Sequence, residues 1–433
     1  MILLSVVGIF LFCLLLGVPV AFSIVIASAI PILLEPLVSL TQVSSVMIES
    51  FSSFTLLAIP LFILCGGLMN LTKVTDDLIY ISKALVGKAK GSLAHMNILT
   101  SIFFGAISGS SVADVASLGR ILIPAMIKAG YSREFAATVT AASSTIGSII
   151  PPSILLIVYG ALAQTSVAAL FIAGIIPGIL IGLTQMAYAW YYASKNNVGP
   201  IDNELIGLSN DDKLSKIVAI KKSVFPLSLF LIVIVGIMAG IFTATEAAAI
   251  AVFYVFIVAF FLKKQRNFKE YMEVIKKAAT DSATIYILIA AAALLSWVLT
   301  YYEAMQPLID FLLVNEFNPI LFLLILTVLY VILGTFMEPN SAMLIFVPLL
   351  LPVIQGLGID PVVAGIVTVM AIRLGTVTPP YGLSSLLAAK VAGTNVLKMM
   401  KHILIFVAVY LVSIILIILI PSIVTFLPNL MMK

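Results

Sequence analysis

Three observations predict an all-α, polytopic membrane protein. The chain of 433 residues is 62% hydrophobic and 10% charged, with a mean hydropathy of +1.23. Soluble chains carry about 25% charged residues, because their surfaces face water. The apolar stretches are also continuous, as in HILIFVAVYLVSIILIILI from His402, where strands of a membrane barrel would alternate with period two. Third, Gly130–Pro152 and Gly358–Pro380 repeat one punctuation. Pro124, Gly130, Gly147, Pro151 and Pro152 recur as Pro352, Gly358, Gly375, Pro379 and Pro380, each 228 residues on. Gly105 and Gly334 continue the match with a slip of one residue. Unwound backbone at membrane depth is tolerated only where it lines a cavity or is buried in protein, so a duplicated, broken apolar unit marks a binding site.

Taken in order, full spans are expected at about 2–22, 22–41, 53–72, 166–192, 221–242, 244–263, 282–301 and 402–427, long enough for a core of about 30 Å. No Lys or Arg precedes Lys73, so the first segment reads as a membrane helix and not as a removed signal peptide. Asp76–Leu93 and Asn267–Thr280 mix charged and apolar residues at helical spacing and are expected to lie as amphipathic helices at the interface. The polar stretch from Ser194 to Lys222 separates two halves: 1–195, a linker at 196–221, and 222–433. Each half is expected to hold a hairpin (98–130 and 321–358) followed by a broken helix (133–165 and 360–395). A small polar tip between two short apolar legs is the pattern of a re-entrant hairpin, and the double proline removes a backbone hydrogen bond and restricts the residue before it. The expected architecture is two repeats, inverted if an odd number of crossings separates them.

Charge bears on topology. Lysines and arginines gather at Lys73–Lys90, Lys213–Lys222, Lys263–Lys277 and Lys390–Lys401, which favours the cytoplasmic side for those connections. The rule cannot hold for every cluster if the crossings between them are odd in number, so the 263–277 cluster serves as anchor. Nothing in the charge pattern calls for a nucleic-acid partner. Cys13 and Cys65 lie in apolar runs, and His95 and His402 fall in no zinc-type spacing. Both histidines are expected at helix ends near the interface, as are Tyr188, Trp190, Tyr191, Tyr192, Tyr301 and Tyr302. A phosphate-binding G-x-x-x-x-G-K-[ST] loop and an H-E-x-x-H motif are absent, and no histidine between 95 and 402 partners a serine, so catalysis is not expected.

The polar residues collect at the breaks. Ser108, Gly109, Ser110 and Ser111 at the first tip, with Ser143, Ser144 and Thr145 before Gly147, suit a cradle for a cation or substrate, since hard cations want several oxygen ligands. Close packing by small residues is the alternative. Asp114 and Glu338 are intramembrane carboxylates, which are usually functional; a salt bridge with Arg120 or Arg373 that merely holds the hairpin is the alternative. Arg373 either meets a substrate carboxylate or pairs with Glu338. Glu246 reads as a helix-start carboxylate.

The runs GAISGSSVADVASLGRILIPAM (Gly105–Met126), ASSTIGSIIPPSI (Ala142–Ile154), LAIPLFIL (Leu57–Leu64) and LGTVTPPYGL (Leu374–Leu383) resemble the large membrane subunit of tripartite ATP-independent periplasmic (TRAP) transporters, over essentially the whole chain. The resemblance implies a multi-pass protein of the bacterial inner membrane. Its partners would be a small four-helix membrane subunit and a periplasmic binding protein, and its substrate a carboxylate such as a C4-dicarboxylate or sialic acid. It implies sodium (Na+) coupling and an elevator movement of both hairpins and both broken helices, the bound sodium ordering the tips. Sodium ligands then fall among Ser108, Gly109, Ser110, Ser111, Ser143, Ser144, Thr145, Gly147, Gly334, Glu338, Asn340, Gly375, Thr376 and Thr378. Substrate contacts are expected among Ser110, Asp114, Ser144, Pro151, Glu338, Arg373 and Pro379. Arg373 departs from the neutral or acidic residue expected there. A stand-alone sodium-coupled carboxylate carrier, and a channel or structural membrane subunit, are the competing readings.

Overall fold

The computed structural model describes residues 2–33, 38–72, 74–87, 89–108, 111–196, 198, 216–262 and 265–432. Among them the chain is helical throughout, and seven helices are long and apolar enough to cross a membrane. The α-helices of the first half are α1 (Ile2–Leu15), α2 (Val20–Leu33), α3 (Leu40–Glu49), α4 (Ala58–Leu71), α5 (Val74–Val86), α6 (Ser92–Ser108), α7 (Ser111–Lys128), α8 (Arg133–Ser143), α9 (Ile154–Leu162) and α10 (Val167–Lys195). The second half supplies α11 (Lys216–Met238), α12 (Ala244–Ile257), α13 (Phe268–Tyr301), α14 (Gln306–Val314), α15 (Pro319–Phe336), α16 (Pro339–Gly356), α17 (Pro361–Gly375), α18 (Leu383–Ala392), α19 (Val396–Leu419) and α20 (Ser422–Met431).

Shifting the first half by 228 residues lays α6 on α15, α7 on α16, α8 on α17, α9 on α18 and α10 on α19, with matching starts to within two residues. Sequence fixes these boundaries locally. Ser132, Ser153, Ser166, Asn318, Glu338, Asp360 and Asn395 each cap a helix by accepting a backbone N–H, and Pro follows as first helical residue after Asn318, Glu338 and Asp360. Gly130 and Gly358 hold φ of +96° and +65° in the turns that close the two hairpins, a region open to glycine at little cost. The Pro151–Pro152 and Pro379–Pro380 bonds are both cis. Glu246 forms a capping box with Thr243 at the start of α12, as a helix-start carboxylate should.

Contacts at the helix ends sort the chain into two faces. Gly67 near the end of α4 lies against Val274 near the start of α13, and Gly91 before α6 lies against Ala193 near the end of α10. Ser132 bonds Tyr192 at 3.0 Å, and Arg133 donates to the Ala392 carbonyl at the end of α18 at 3.4 Å. On the opposite face Thr245 donates to the Phe54 carbonyl, and Tyr302 to the Pro31 carbonyl. Equivalent segments therefore run in opposite directions: α4 ends where α13 begins. Each hairpin returns the chain to the face it left, which resolves the parity problem. The ends of α4, α10 and α18, the α7–α8 turn and the start of α13 all lie on the face that adjoins the basic clusters. The other face carries Glu49, Glu246, Glu303, Asp310, Glu316 and Asp360.

Packing separates a frame from a core. In the frame α4 packs on α12 and α13, and α13 on α2; α6–α10 and α15–α19 form the second group, in which α18 packs on α7 and α8 while α9 packs on α16 and α17. The two groups meet where α13 touches α16 and α4 touches α6, and α5, which packs on α11, also lies along α6.

Several expectations need correction. Asn267–Thr280 is no separate surface helix: it continues unbroken into the span after it as the 34-residue α13, about 51 Å long. The chain gives no breaker there, so the helix runs on. The last span ends at Leu419, where Pro421 starts α20. Tyr188 and Tyr192 are not belt residues facing lipid. Tyr192 stacks on Phe135 with centroids 3.6 Å apart, and Tyr188 bonds His402, which lies in the second turn of α19 and not at its end. Trp190 and Tyr191 on the same helix are exposed.

Candidate functional site

Both hairpins touch the break of the helix that follows them, through paired glycines. A Cβ on Gly105 would overlap the Cα of Gly147, and a Cβ on Gly375 would stand 2.6 Å from the Cα of Gly334. Gly105 and Gly334 differ by one residue in the register of the repeat, yet meet equivalent partners, since 147 and 375 are in register. No side chain larger than hydrogen fits either contact. Around the first one, Asn97 donates to Thr140 at 2.7 Å and Ser101 bonds Ser143 at 2.9 Å, so α6 and α8 are joined by a polar ladder along one face.

The breaks themselves are dense with local bonds. Ser143, Ser144 and Thr145 are buried, and each hydroxyl turns back to a carbonyl three residues earlier. In the second break the Thr376 carbonyl accepts from the Ser384 N–H, the Val377 carbonyl from the Ser385 hydroxyl and the Thr378 carbonyl from the Gly382 N–H. The helix after each break thus meets carbonyls that the break frees. A carbonyl has two lone pairs, so these oxygens keep capacity for a further ligand.

A cavity of about 470 Å³ lies between the frame and the core. On the core side it is lined by Ser111, Glu338, Asn340, Arg373, Thr376 and Ser384; on the frame side by Asn70 of α4 and by Lys277 and Asp281 of α13. Arg373 is 5% exposed and donates to Ser111 Oγ at 2.9 Å, and Ser384 Oγ lies 3.4 Å from the same Ser111 oxygen. The first hairpin is therefore tied to the second break across the two repeats. The first residues of α7, α9, α16 and α18 all line this one space. The N-termini of α7, α9 and α18 each bring a partial positive charge and Arg373 adds a full one, while Glu338 offsets the start of α16, so the wall offers an anion several partners beside one carboxylate. The volume suits a small molecule.

Glu338 reaches this wall in a role that spacing alone does not suggest. It is the N-cap of α16, accepting from the Ser341 N–H at 3.0 Å and from Asn340 Nδ2 at 2.7 Å. Arg373 bonds the first hairpin through Ser111. Ser111, Glu338, Asn340, Arg373 and Thr376 are thus brought together. Ser143, Ser144, Thr145, Gly147, Gly375 and Thr378 sit at the breaks and Gly334 in α15 packs on the second one; none of these, nor Asp114, Pro151 and Pro379, lines the cavity. Gly109 and Ser110, and the side chain of Ser108, lie outside the described residues. Sequence reasoning passed over Ser384, Asn70, Lys277 and Asp281. Ser384 was findable, four residues beyond the second double proline; the frame residues stand on helices with no break to mark them.

The family model for the DctM component of tripartite ATP-independent periplasmic transporters matches residues 7–423. An uncharacterized protein, YgiK, of Salmonella typhimurium is 37% identical over 94% of this chain and 92% of its own length. The C4-dicarboxylate TRAP transporter large permease DctM of Pseudomonas aeruginosa is 34% identical over 94% of each chain. The sialic acid TRAP transporter large permease SiaM of Vibrio cholerae is 32% identical over 87% of this chain and 86% of its own. Among solved structures, the YdaH transporter of Alcanivorax borkumensis has the same fold with a TM-score of 0.69 at 14% identity, covering 96% of this chain and 97% of that one. Matched along nearly its whole length, the chain belongs to the DctM family of TRAP large permeases and is a multi-pass transport protein, not an enzyme.

Proposed function

We propose that this chain is the large permease of a sodium-coupled importer that takes an organic acid, of the sialic acid or C4-dicarboxylate type, from a periplasmic binding protein. The observation that carries this reading is the cavity wall itself: four helix N-termini and Arg373 converge on one space between the two repeats. Arg373 is the candidate partner for a substrate carboxylate, which its planar fork matches with two parallel hydrogen bonds. The hydroxyls of Ser111, Thr376 and Ser384, the carboxylate of Glu338 and the break carbonyls offer the oxygen-rich surroundings that a sodium ion takes. The break segments 143–147 and 375–378, with the 108–111 tip, are the proposed sodium sites.

The division into frame and core supports an elevator movement, in which both hairpins and both broken helices shift together past α4 and α13. The basic face is assigned to the cytoplasm by the positive-inside rule, in the bacterial inner membrane. A small membrane subunit completes the complex. The isethionate TRAP transporter permease DctMQ of Oleidesulfovibrio alaskensis matches 96% of this chain but only 65% of its own length, which leaves that relative room for a further component.

Reconstitution in liposomes tests the reading. Uptake of a labelled C4-dicarboxylate or sialic acid is expected to need an inward sodium gradient, the small subunit and the binding protein. Uptake by this chain alone would replace the proposal with a stand-alone carrier, and ion current without substrate would make it a channel.

A further inference from the structure

On the frame side α13 lines the cavity from Lys277, the nearer to the basic face at the start of that helix, to Leu288 deeper along it. The path between them follows α13 for about 17 Å. Lys277, Asp281 and Thr284 fall on one stripe of that helix, all three exposed, while Ala278, Ile285 and Leu288 beside them are buried. Neither Lys277 nor Asp281 is engaged by another side chain among the described residues. The equivalent of Lys277 in the first repeat, 228 residues earlier, is Glu49, and it lies on the opposite face. The charge is thus reversed between the two ends of the frame.

We infer that Lys277 and Asp281 form a release wall on α13, along which the substrate anion and its coupling cation leave the cavity toward the basic face. An anion held by a nearly buried arginine and the uncharged helix N-termini beside it needs a second, weaker site to step to, because conduction requires binding that is favourable but shared among several positions. Lysine suits that step better than arginine: its ammonium is strongly hydrated, lacks the bidentate fork and hands the anion back to water. Asp281, one turn deeper, offers the cation a parallel step and keeps the wall from trapping the anion by charge of a single sign. Glu49 at the equivalent place of the first repeat carries the opposite charge and does not line the cavity, so this wall exists at one end of the frame only. This inference rests on the proposed function, since it assumes that the cavity carries an organic acid.

Sided transport kinetics of the reconstituted complex test it, using a labelled C4-dicarboxylate or sialic acid, whichever the wild type takes up. Lys277→Gln is expected to lower maximal uptake severalfold and to raise the half-saturating internal concentration for exchange about tenfold. The external half-saturating concentration should stay within twofold, and Lys277→Arg should keep most of the internal affinity. Thermal unfolding of the purified variant, expected at the wild-type temperature, separates these effects from misfolding. An unchanged internal value in a folded Lys277→Gln complex overturns the release wall alone, and so does an equal shift on both sides, which would make Lys277 a general substrate ligand. Uptake of neither compound by the wild type overturns the functional reading and the release wall with it.

Discussion

At the scale of single residues, the paired glycines set what the site can tolerate. Gly105 presses on Gly147 and Gly375 on Gly334 with backbone in contact, so an added methyl group has no flexible side chain to displace. Gly105→Ala and Gly375→Ala should each destabilise the protein by about 1–3 kcal/mol, the range for overpacking a tight site. Thermal unfolding in detergent reads this, and wild-type melting in both variants would show that the hairpins do not touch the breaks. Glu338 carries two roles that separate by substitution. Glu338→Ala removes the cap of α16 and should cost about 1 kcal/mol. Glu338→Gln keeps an acceptor oxygen but loses the charge, and should raise the sodium concentration for half-maximal uptake severalfold; unchanged sodium activation would leave the cap as its sole role. The carboxylate was conspicuous in the sequence because charge is costly in a membrane, whereas the cap depends on the turn at Met337–Pro339 that only the folded backbone displays.

Among the helices, the N-terminus of α8 is anchored by side chains from both repeats. Phe135 stacks on Tyr192 and meets His402 edge-on, Glu134 accepts from Thr394, and Arg133 meets the carbonyl end of α18, where the helix dipole favours a cation. These contacts tie the first broken helix to both repeats. Phe135→Ala should therefore cost about 3–5 kcal/mol, seen as a lowered unfolding temperature and poor recovery of the complex. Full recovery with unchanged melting would show the cluster to be peripheral. Tyr188 and Tyr192 were expected at the membrane surface because their spacing beside Trp190 and Tyr191 looks like a belt. Helical periodicity turns two of the four inward, and the partners that receive them, Phe135 and His402, are far away in sequence. The continuity of α13 escaped for a related reason: the composition changes after Asp281, but no break occurs in the backbone.

At the scale of the whole molecule, the repeat was legible because breakers cannot be hidden in apolar sequence: Gly130, Gly147 and Pro151 stand out and recur. The frame wall of the cavity was not legible, because Asn70, Lys277 and Asp281 belong to helices whose facing depends on tertiary packing. The assignment of faces has its own test. In a variant with Cys13 and Cys65 replaced, single cysteines at Lys276 and Lys398 should react with a membrane-impermeant thiol reagent only from the cytoplasmic side. Cysteines at Asp310 and Glu316 should react only from the periplasm. Mixed accessibility within either pair would break the inverted arrangement. The most direct measurement of the site itself is sodium-driven uptake by the reconstituted complex carrying Arg373→Gln. Loss of one charge-assisted contact of about 1.5–3 kcal/mol should lower uptake efficiency roughly tenfold to a hundredfold while the complex still assembles. Wild-type uptake efficiency in that variant would contradict an anion site at the meeting of the two repeats.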